Sequence, residues 1–130
     1  MLIQTPISIG ELIDKISILE IKKEKINSAD KLKYINEEYD LLIKIINKEI
    51  SFKDKSGLLG FLHDIKIINQ ELWEIEDKIR EKESKEEFDI EFIALARSVY
   101  QTNDERFRIK NEINKRCSSN IQEQKSYKKR

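Results

Sequence analysis

The chain contains very little proline, glycine or cysteine. Of its 130 residues, one is proline, three are glycine and one is cysteine, while 38% are charged. A charged chain with so few helix breakers is typical of long helices and disfavours sandwiches and barrels. The single cysteine, Cys117, excludes a disulfide within these residues and a zinc site made of several cysteines. We interpret it as a small, half-buried residue late in a helix, and we expect a reducing, cytoplasmic location.

The chain also lacks a net charge and a long apolar run. Twenty-five basic side chains balance twenty-five acidic ones, so no overall field draws the protein to nucleic acid or to an anionic membrane. No apolar run approaches the roughly 18 residues of a membrane span, and the first ten residues lack the features of a secretory signal. We therefore expect no membrane partner and no nucleic-acid partner.

The usual catalytic and cofactor motifs are missing as well. There is one histidine, His63, and no Glu-x-x-His pair of the kind that a di-iron helical bundle requires. We find no phosphate-binding glycine loop and no plausible Ser-His-Asp set. Carboxylates at 71, 74, 86 and 89 follow the magnesium-binding order of all-helical nucleotide pyrophosphohydrolases, but the second pair falls in a predicted loop. We predict no catalytic residue, no metal and no cofactor.

Apolar residues near the start of the chain mark the helix around which the rest is organised. Ser8 followed three residues later by Glu11 is a capping box, so this helix should begin near Ser8. Ile18 and Ile21 project from the side opposite the main apolar stripe, which indicates neighbours on two sides. The main stripe recurs at every third or fourth position, with only Lys23 out of pattern, and consists of Ile9, Leu12, Ile16, Leu19 and Ile26.

Three further apolar repeats predict three more helices. We predict a single domain with helices at 8–27, 30–50, 57–82 and 90–116, a loop at 51–57 with the sequence SFKDKSG, and a polar basic tail at 118–130. Short connections favour an all-α, antiparallel up-down four-helix bundle with coiled-coil-like packing. An extended coiled-coil hairpin assembled as a dimer is the alternative.

A group of polar residues interrupts the apolar stripe of the fourth helix. Asn103, Arg106 and Lys110 occupy positions on the face that Val99 and Ile113 would otherwise continue. One interpretation is a polar pocket or partner-binding patch between helices four, one and three. The other is a buried network that fixes the helix register, or a segment that is simply exposed to water.

Polar and aromatic residues also concentrate near the end of the third helix, in ELWEIEDKIR. Antiparallel pairing would bring this segment beside the start of the fourth helix. The arginines could then pair with a carboxylate or phosphate, and the tyrosine could stack or form a hydrogen bond. We therefore predict a binding site made of Glu76, Asp77, Arg80, Arg97, Tyr100, Asn103 and Asp104.

Four separated segments resemble a family of short bacterial and phage-like proteins that is catalogued as a domain of unknown function. These segments are PISIGELIDKISILEIK, LWEIEDKIR, FIALARSVYQTND and EQKSY, and the resemblance covers nearly the whole chain. The resemblance implies an all-helical protein and no particular activity. It adds weight to the polar residues within the segments, which include Gly10, Glu11, Asp14, Lys15, Lys125 and Tyr127.

Two classes of function remain open. Polar and aromatic residues on rigid helices are sufficient for binding, so we predict a non-catalytic binding or adaptor protein that takes a protein partner or a small anion. The alternative is a small all-helical enzyme that acts on a metabolite bearing phosphate or carboxylate. Ile18 and Ile21 leave a second apolar strip, which predicts a homodimer unless the first seven residues cover it.

Overall fold

The chain folds into four α-helices. The structure, a computed structural model, describes residues 1–50 and 52–126, with the backbone alone at 52–54. The helices are α1 (Ile9–Lys25), α2 (Ala29–Glu49), α3 (Phe52–Ser84) and α4 (Ile90–Arg116), and the described residues contain no strand. α1 packs against each of the other three helices, and α3 packs against α4. The predicted all-α bundle is confirmed.

The predicted loop at 51–57 is wrong, because α3 is helical from Phe52 onward. Ser51 lies outside the described residues. Glycine in a helix costs about 1 kcal/mol relative to alanine, which makes Gly57 look like a helix breaker. Here Gly57 packs against α4, where a Cβ atom would lie 3.2 Å from Nε of Arg116, and the next residue, Leu58, is buried. Tertiary packing therefore overrides the local preference.

Side-chain caps fix the starts of α1 and α4. The backbone N–H of Glu11 donates to Oγ of Ser8 over 3.0 Å, and the N–H of Phe92 donates to Oδ1 of Asp89 over 2.9 Å. Each bond satisfies one of the N–H groups that the first turn of a helix leaves without an intrahelical partner. Both helices begin within one residue of the predicted start.

The hydrophobic core lies where α1, the start of α3 and the end of α4 meet. α1 contributes eight buried residues out of 17, more than any other helix. This burial explains why its sequence is apolar on two sides. The central cluster is formed by one residue of α1, two of α3 and two of α4, namely Ile13, Leu58, Ile65, Ile109 and Ile113.

Polar contacts hold the end of α1 between α2 and α3. Nζ of Lys23 lies 4.0 Å from the centroid of the Tyr39 ring in α2, a cation–π contact. Nζ of Lys66 in α3 lies 2.7 Å from a carboxylate oxygen of Glu24 and 3.5 Å from one of Glu20. Burial, together with the charge of Glu20, raises the pKa of Tyr39.

Beyond the core, α3 and α4 continue as a two-helix arm, defined here as residues 70–108. No residue in this range is buried. At its tip, Nζ of Lys82 lies 2.9 Å from Oδ2 of Asp89 and 3.3 Å from Oε2 of Glu91, so the end of α3 lies beside the start of α4.

No described helix has the length and apolar character needed to cross a membrane.

The apolar strip that suggested a homodimer is largely covered within one chain. Ile21 is only 1% exposed, whereas Ile18 is partly exposed. The first residues do not provide this cover, since Leu2 and Ile3 are 70% and 77% exposed. The homodimer itself stays a prediction.

Candidate functional site

A buried ion pair joins three helices beside the core. The carboxylate of Asp14 in α1 has no solvent exposure. Its Oδ1 accepts hydrogen bonds from Nδ2 of Asn69 in α3 and from Nε of Arg106 in α4, both over 2.9 Å, and its Oδ2 accepts from Nη2 of Arg106. Nδ2 of Asn69 lies 2.7 Å from Oγ of Ser17, which donates to the backbone carbonyl of Asp14. One carboxylate of α1 therefore ties α3 to α4.

The two members of this pair have different access to solvent. The side chain of Arg106 is 27% exposed, while that of Asp14 is fully buried. The hydrogen bond to Asp14 raises the pKa of Arg106, although burial opposes the shift. A two-bond arginine–carboxylate contact of this kind fixes geometry as well as charge. The charge of Arg106 is thus committed to Asp14 rather than left for a ligand.

A buried lysine, Lys110, lies one turn further along α4. Nζ of Lys110 lies 2.7 Å from a carboxylate oxygen of Glu11 and 3.3 Å from one of Glu123. Burial alone would lower the pKa of Lys110, but the hydrogen bond to Glu11 and the negative charges around it raise that pKa. The backbone N–H of Gly10 donates to Oδ1 of Asn114 over 2.7 Å, so the start of α1 is held against the end of α4.

A cleft of about 550 Å³ opens beside the ion pair, at the base of the arm. Its walls come from α1, α3 and α4. The apolar part of the lining consists of Ile18, Ile21, Leu72 and Trp73. The polar part consists of Asn69, Glu76, Asp77, Arg80, Asn103 and Arg106. An apolar wall with a few convergent polar groups is the usual character of a binding pocket.

Four of the seven predicted site residues line this cleft: Glu76, Asp77 and Arg80 from α3, and Asn103 from α4. The other three, Arg97, Tyr100 and Asp104, are exposed on a different face of α4 and do not line it. At about 100° per residue, Arg97 and Asp104 are rotated by about 100° or more from Asn103 around α4, and Tyr100 by about 60° in the same direction. The structure therefore brings together the α3 group and one residue of the α4 group.

The polar residues on α4 divide between the two interpretations of that segment. Arg106 and Lys110 belong to the buried network, and Asn103 lines the cleft together with Arg106. Sequence reasoning missed the partners Asp14 and Asn69 as members of one site. The sequence signals that could have found them were an acidic residue, Asp14, within the apolar stretch of α1 and an amide residue, Asn69, directly after Ile68 in the stripe of α3.

In the part of the chain that the structure describes, no group of three or more His, Cys, Asp or Glu side chains is arranged so that it could hold a metal ion. The family model of DUF6165, a family of unknown function, matches residues 3–130. No curated protein and no solved structure matches the chain. The family match confirms the resemblance to a family of unknown function, which assigns no activity.

Proposed function

The chain belongs to the DUF6165 family of unknown function, and we propose that it is a non-catalytic binding protein whose site is the cleft at the base of the arm. The observation that carries this proposal is the lining of the cleft. An indole and three aliphatic side chains form its apolar part, and carboxylates, amides and guanidinium groups surround them. Such a surface can bury an apolar group and orient a polar one.

The chemistry of the lining supports binding over catalysis. Among the described residues that line the cleft there is no serine, threonine, cysteine, lysine or histidine, so the common nucleophiles are missing. The two carboxylates of the lining, Glu76 and Asp77, are exposed to solvent, whereas active sites commonly exclude water from the reacting groups.

The charges of the cleft count against a phosphate or carboxylate ligand. Arg106 is paired with Asp14, so an anion would depend on Arg80, whose side chain is 80% exposed. Nε of Arg80 lies 3.9 Å from a carboxylate oxygen of Glu76, and Asp77 also lines the cleft. The two carboxylates outnumber the one guanidinium of Arg80, so the net negative charge repels an anion, which disfavours the enzyme acting on an anionic metabolite.

The buried ion pair supports a pre-formed site. Asp14, Asn69 and Arg106 lock the relative positions of the three helices that form the cleft walls. A site whose walls are already ordered loses less conformational entropy when it binds.

For the setting of this activity we propose the cytoplasm, supported by the single cysteine, and a bacterial or phage-like source, supported by the sequence resemblance.

Site-specific photo-crosslinking tests the proposal. A photoreactive amino acid replaces Arg80 in the cleft, and a control protein carries it at Leu59, which is 68% exposed on α3 outside the cleft lining. After irradiation in extract of the native host, mass spectrometry should find a discrete adduct at position 80. An excess of wild-type protein, which has no photoreactive residue, should compete for the ligand and prevent formation of this adduct. The same adduct should not form at position 59.

A double variant, Glu76→Ala with Asp77→Ala, separates binding from stability. Both side chains are exposed, so the melting temperature should change little while the adduct at position 80 is lost. Equal labelling at both positions, or turnover of an added metabolite by the purified protein, would contradict a binding role for the cleft.

A further inference from the structure

The apolar seam between α3 and α4 continues past the cleft without a third helix to cover it. At the base of the bundle, Ile13 of α1 packs against this seam. Further along, helical spacing places Ile79 on the face of Leu72, and places Val99 and Ala96 on the face of Asn103. None of these arm residues is buried. An apolar stripe thus runs from the cleft toward the tip with one side open.

The arm carries a negative charge that the rest of the chain balances. Residues 70–108 contain twelve acidic and seven basic side chains, a net charge of −5, in a chain whose overall charge is zero. Lys82 is occupied by carboxylates at the tip. Closer to the cleft, Asp77 has no ion-pair partner within the described residues, and the contact of Glu76 with Arg80 is long. Where the open seam meets the cleft, two carboxylates therefore face the one guanidinium of Arg80, an excess of negative charge.

We infer that the cleft and this seam form one groove, which binds an amphipathic helix of a partner protein with an apolar stripe and basic flanks. This inference rests on the proposed function and names the class of partner. Docking of an amphipathic helix into an apolar groove is an established mode of recognition, with anchors three, four and seven residues apart. α3 continues for 13 residues from Leu72 to Ser84, so the groove accommodates about 20 Å of helix, or three to four turns.

The charge of the arm selects this partner over a second copy of the chain. A symmetric dimer through the arms would bring two surfaces of net charge −5 together, and like charges at an interface oppose association. Basic flanks on a partner helix would instead face Glu76 and Asp77. The apolar anchors of that helix would contact Trp73, Ile79 and Val99.

Synthetic peptides provide the direct test. The probe is a helical peptide of about four turns with leucine at positions a and d and lysine on the flanks, without tryptophan. One control peptide has glutamate in place of lysine, and a second has the same composition in a scrambled order. Trp73 is the only tryptophan of the chain and lines the cleft, so its emission reports occupancy of the groove. The lysine peptide should bind saturably with a change in Trp73 emission, and the glutamate peptide should bind at least about tenfold more weakly.

Two matched double variants locate the binding. One, Glu76→Lys with Asp77→Lys, reverses two charges in the groove. The other, Glu71→Lys with Glu74→Lys, makes the same charge change at exposed positions on the far face of α3. The groove variant should bind the lysine peptide about tenfold or more weakly at physiological salt, and the far-face variant no more than about threefold more weakly.

A second comparison uses exposed alanines on α4. Ala96→Arg places a bulky cation on the groove face, while Ala94→Arg places it on the opposite face. We expect Ala96→Arg to abolish the change in Trp73 emission and Ala94→Arg to leave it intact. Circular dichroism and melting temperature check that the two double variants and the two arginine variants all remain folded.

The outcomes separate this inference from the proposed function. If the groove variant and the far-face variant lose affinity for the lysine peptide equally, the attraction is diffuse and the inference is overturned. Equal affinity of the wild type for the lysine peptide and for the glutamate or scrambled peptide also overturns it. If no peptide binds but crosslinking at position 80 traps a small molecule, the inference fails and the proposed function stands. If neither binds, both fail. A dimer in sedimentation that Ala96→Arg breaks and Ala94→Arg does not would assign the groove to a second copy and overturn the inference.

Discussion

Replacing Gly10 by alanine should destabilise the fold, even though alanine is the better helix former. A Cβ atom at position 10 would lie 2.5 Å from the carbonyl oxygen of Lys110 and 2.9 Å from Oδ1 of Asn114. The first of these atoms belongs to the backbone, so no rotamer change relieves the contact and α1 must move away from α4. Such overpacking costs about 1–3 kcal/mol. The same movement strains the 2.7 Å hydrogen bond from the Gly10 N–H to Asn114, which contributes about 0.5–1.5 kcal/mol.

Opposing this loss is the helix propensity of alanine, worth at most about 1 kcal/mol and less in the first turn. We therefore expect Gly10→Ala to lower the free energy of unfolding by about 1–3 kcal/mol. Gly60 is the matched control, since a Cβ atom there meets nothing within 4 Å and Gly60→Ala should stabilise α3 by about 0.5–1 kcal/mol. Urea titration followed by circular dichroism measures both variants. A Gly10→Ala protein as stable as the wild type, beside a stabilised Gly60→Ala protein, would refute the close approach of α1 and α4.

Four further substitutions test the core, the ion pair and the tip of the arm. Ile65→Ala removes a fully buried side chain and should cost about 2–5 kcal/mol in the same titration, so a loss under about 0.5 kcal/mol would contradict the packing. Arg106→Met leaves the buried Asp14 carboxylate without a counter-charge and should cost about 3–5 kcal/mol. Asp14→Asn should lower the free energy of unfolding by less than Arg106→Met, because Arg106 is partly exposed and can be hydrated from the cleft. A larger loss in Asp14→Asn than in Arg106→Met would count against this geometry. The hydrogen bond from Lys82 lowers the pKa of Asp89 below its ordinary 3.8. The ion pair therefore stabilises the fold fully above pH 3.8, and this stabilisation is lost as the pH falls through the lower pKa of the folded state. The melting temperature of Asp89→Asn should therefore lie below that of the wild type at pH 7 and approach it in acid, and a difference independent of pH would argue against the pair.

The helices could be predicted because their signals are local. The capping box at Ser8 and the cap at Asp89 each involve residues three positions apart, and the apolar repeats need only one helix to be recognised. Depth of burial is different. Ile65 and Ile68 both belong to the stripe of α3, yet Ile65 has no exposure and Ile68 is only partly buried. Which residues of a stripe are buried depends on the helix that covers them, which the stripe itself does not encode.

The ion pair shows the same limit in the candidate site. Asp14 and Arg106 are 92 positions apart, and the chain has 25 acidic side chains that could have faced that arginine. The interrupted stripe of α4 indicated a polar site, and periodicity placed Asn103 and Arg106 on its face. The choice of partner is a tertiary property, so the sequence left the pocket and the network as alternatives. Part of each is present, with Arg106 in both.

Unequal helix lengths create the proposed groove. α1 has 17 residues, whereas α3 has 33, so at 1.5 Å per residue α3 is about 24 Å longer. The apolar stripe does not stop where the cover of α1 stops, and an apolar seam with one open side remains exposed to water at a cost of about 25 cal/mol per Å². A helix from another protein would restore the three-helix packing found at the base. Because Arg106 is paired with Asp14, the charges left at the cleft are the carboxylates of Glu76 and Asp77 and the guanidinium of Arg80. The carboxylates are in excess, and this favours basic flanks on the partner helix.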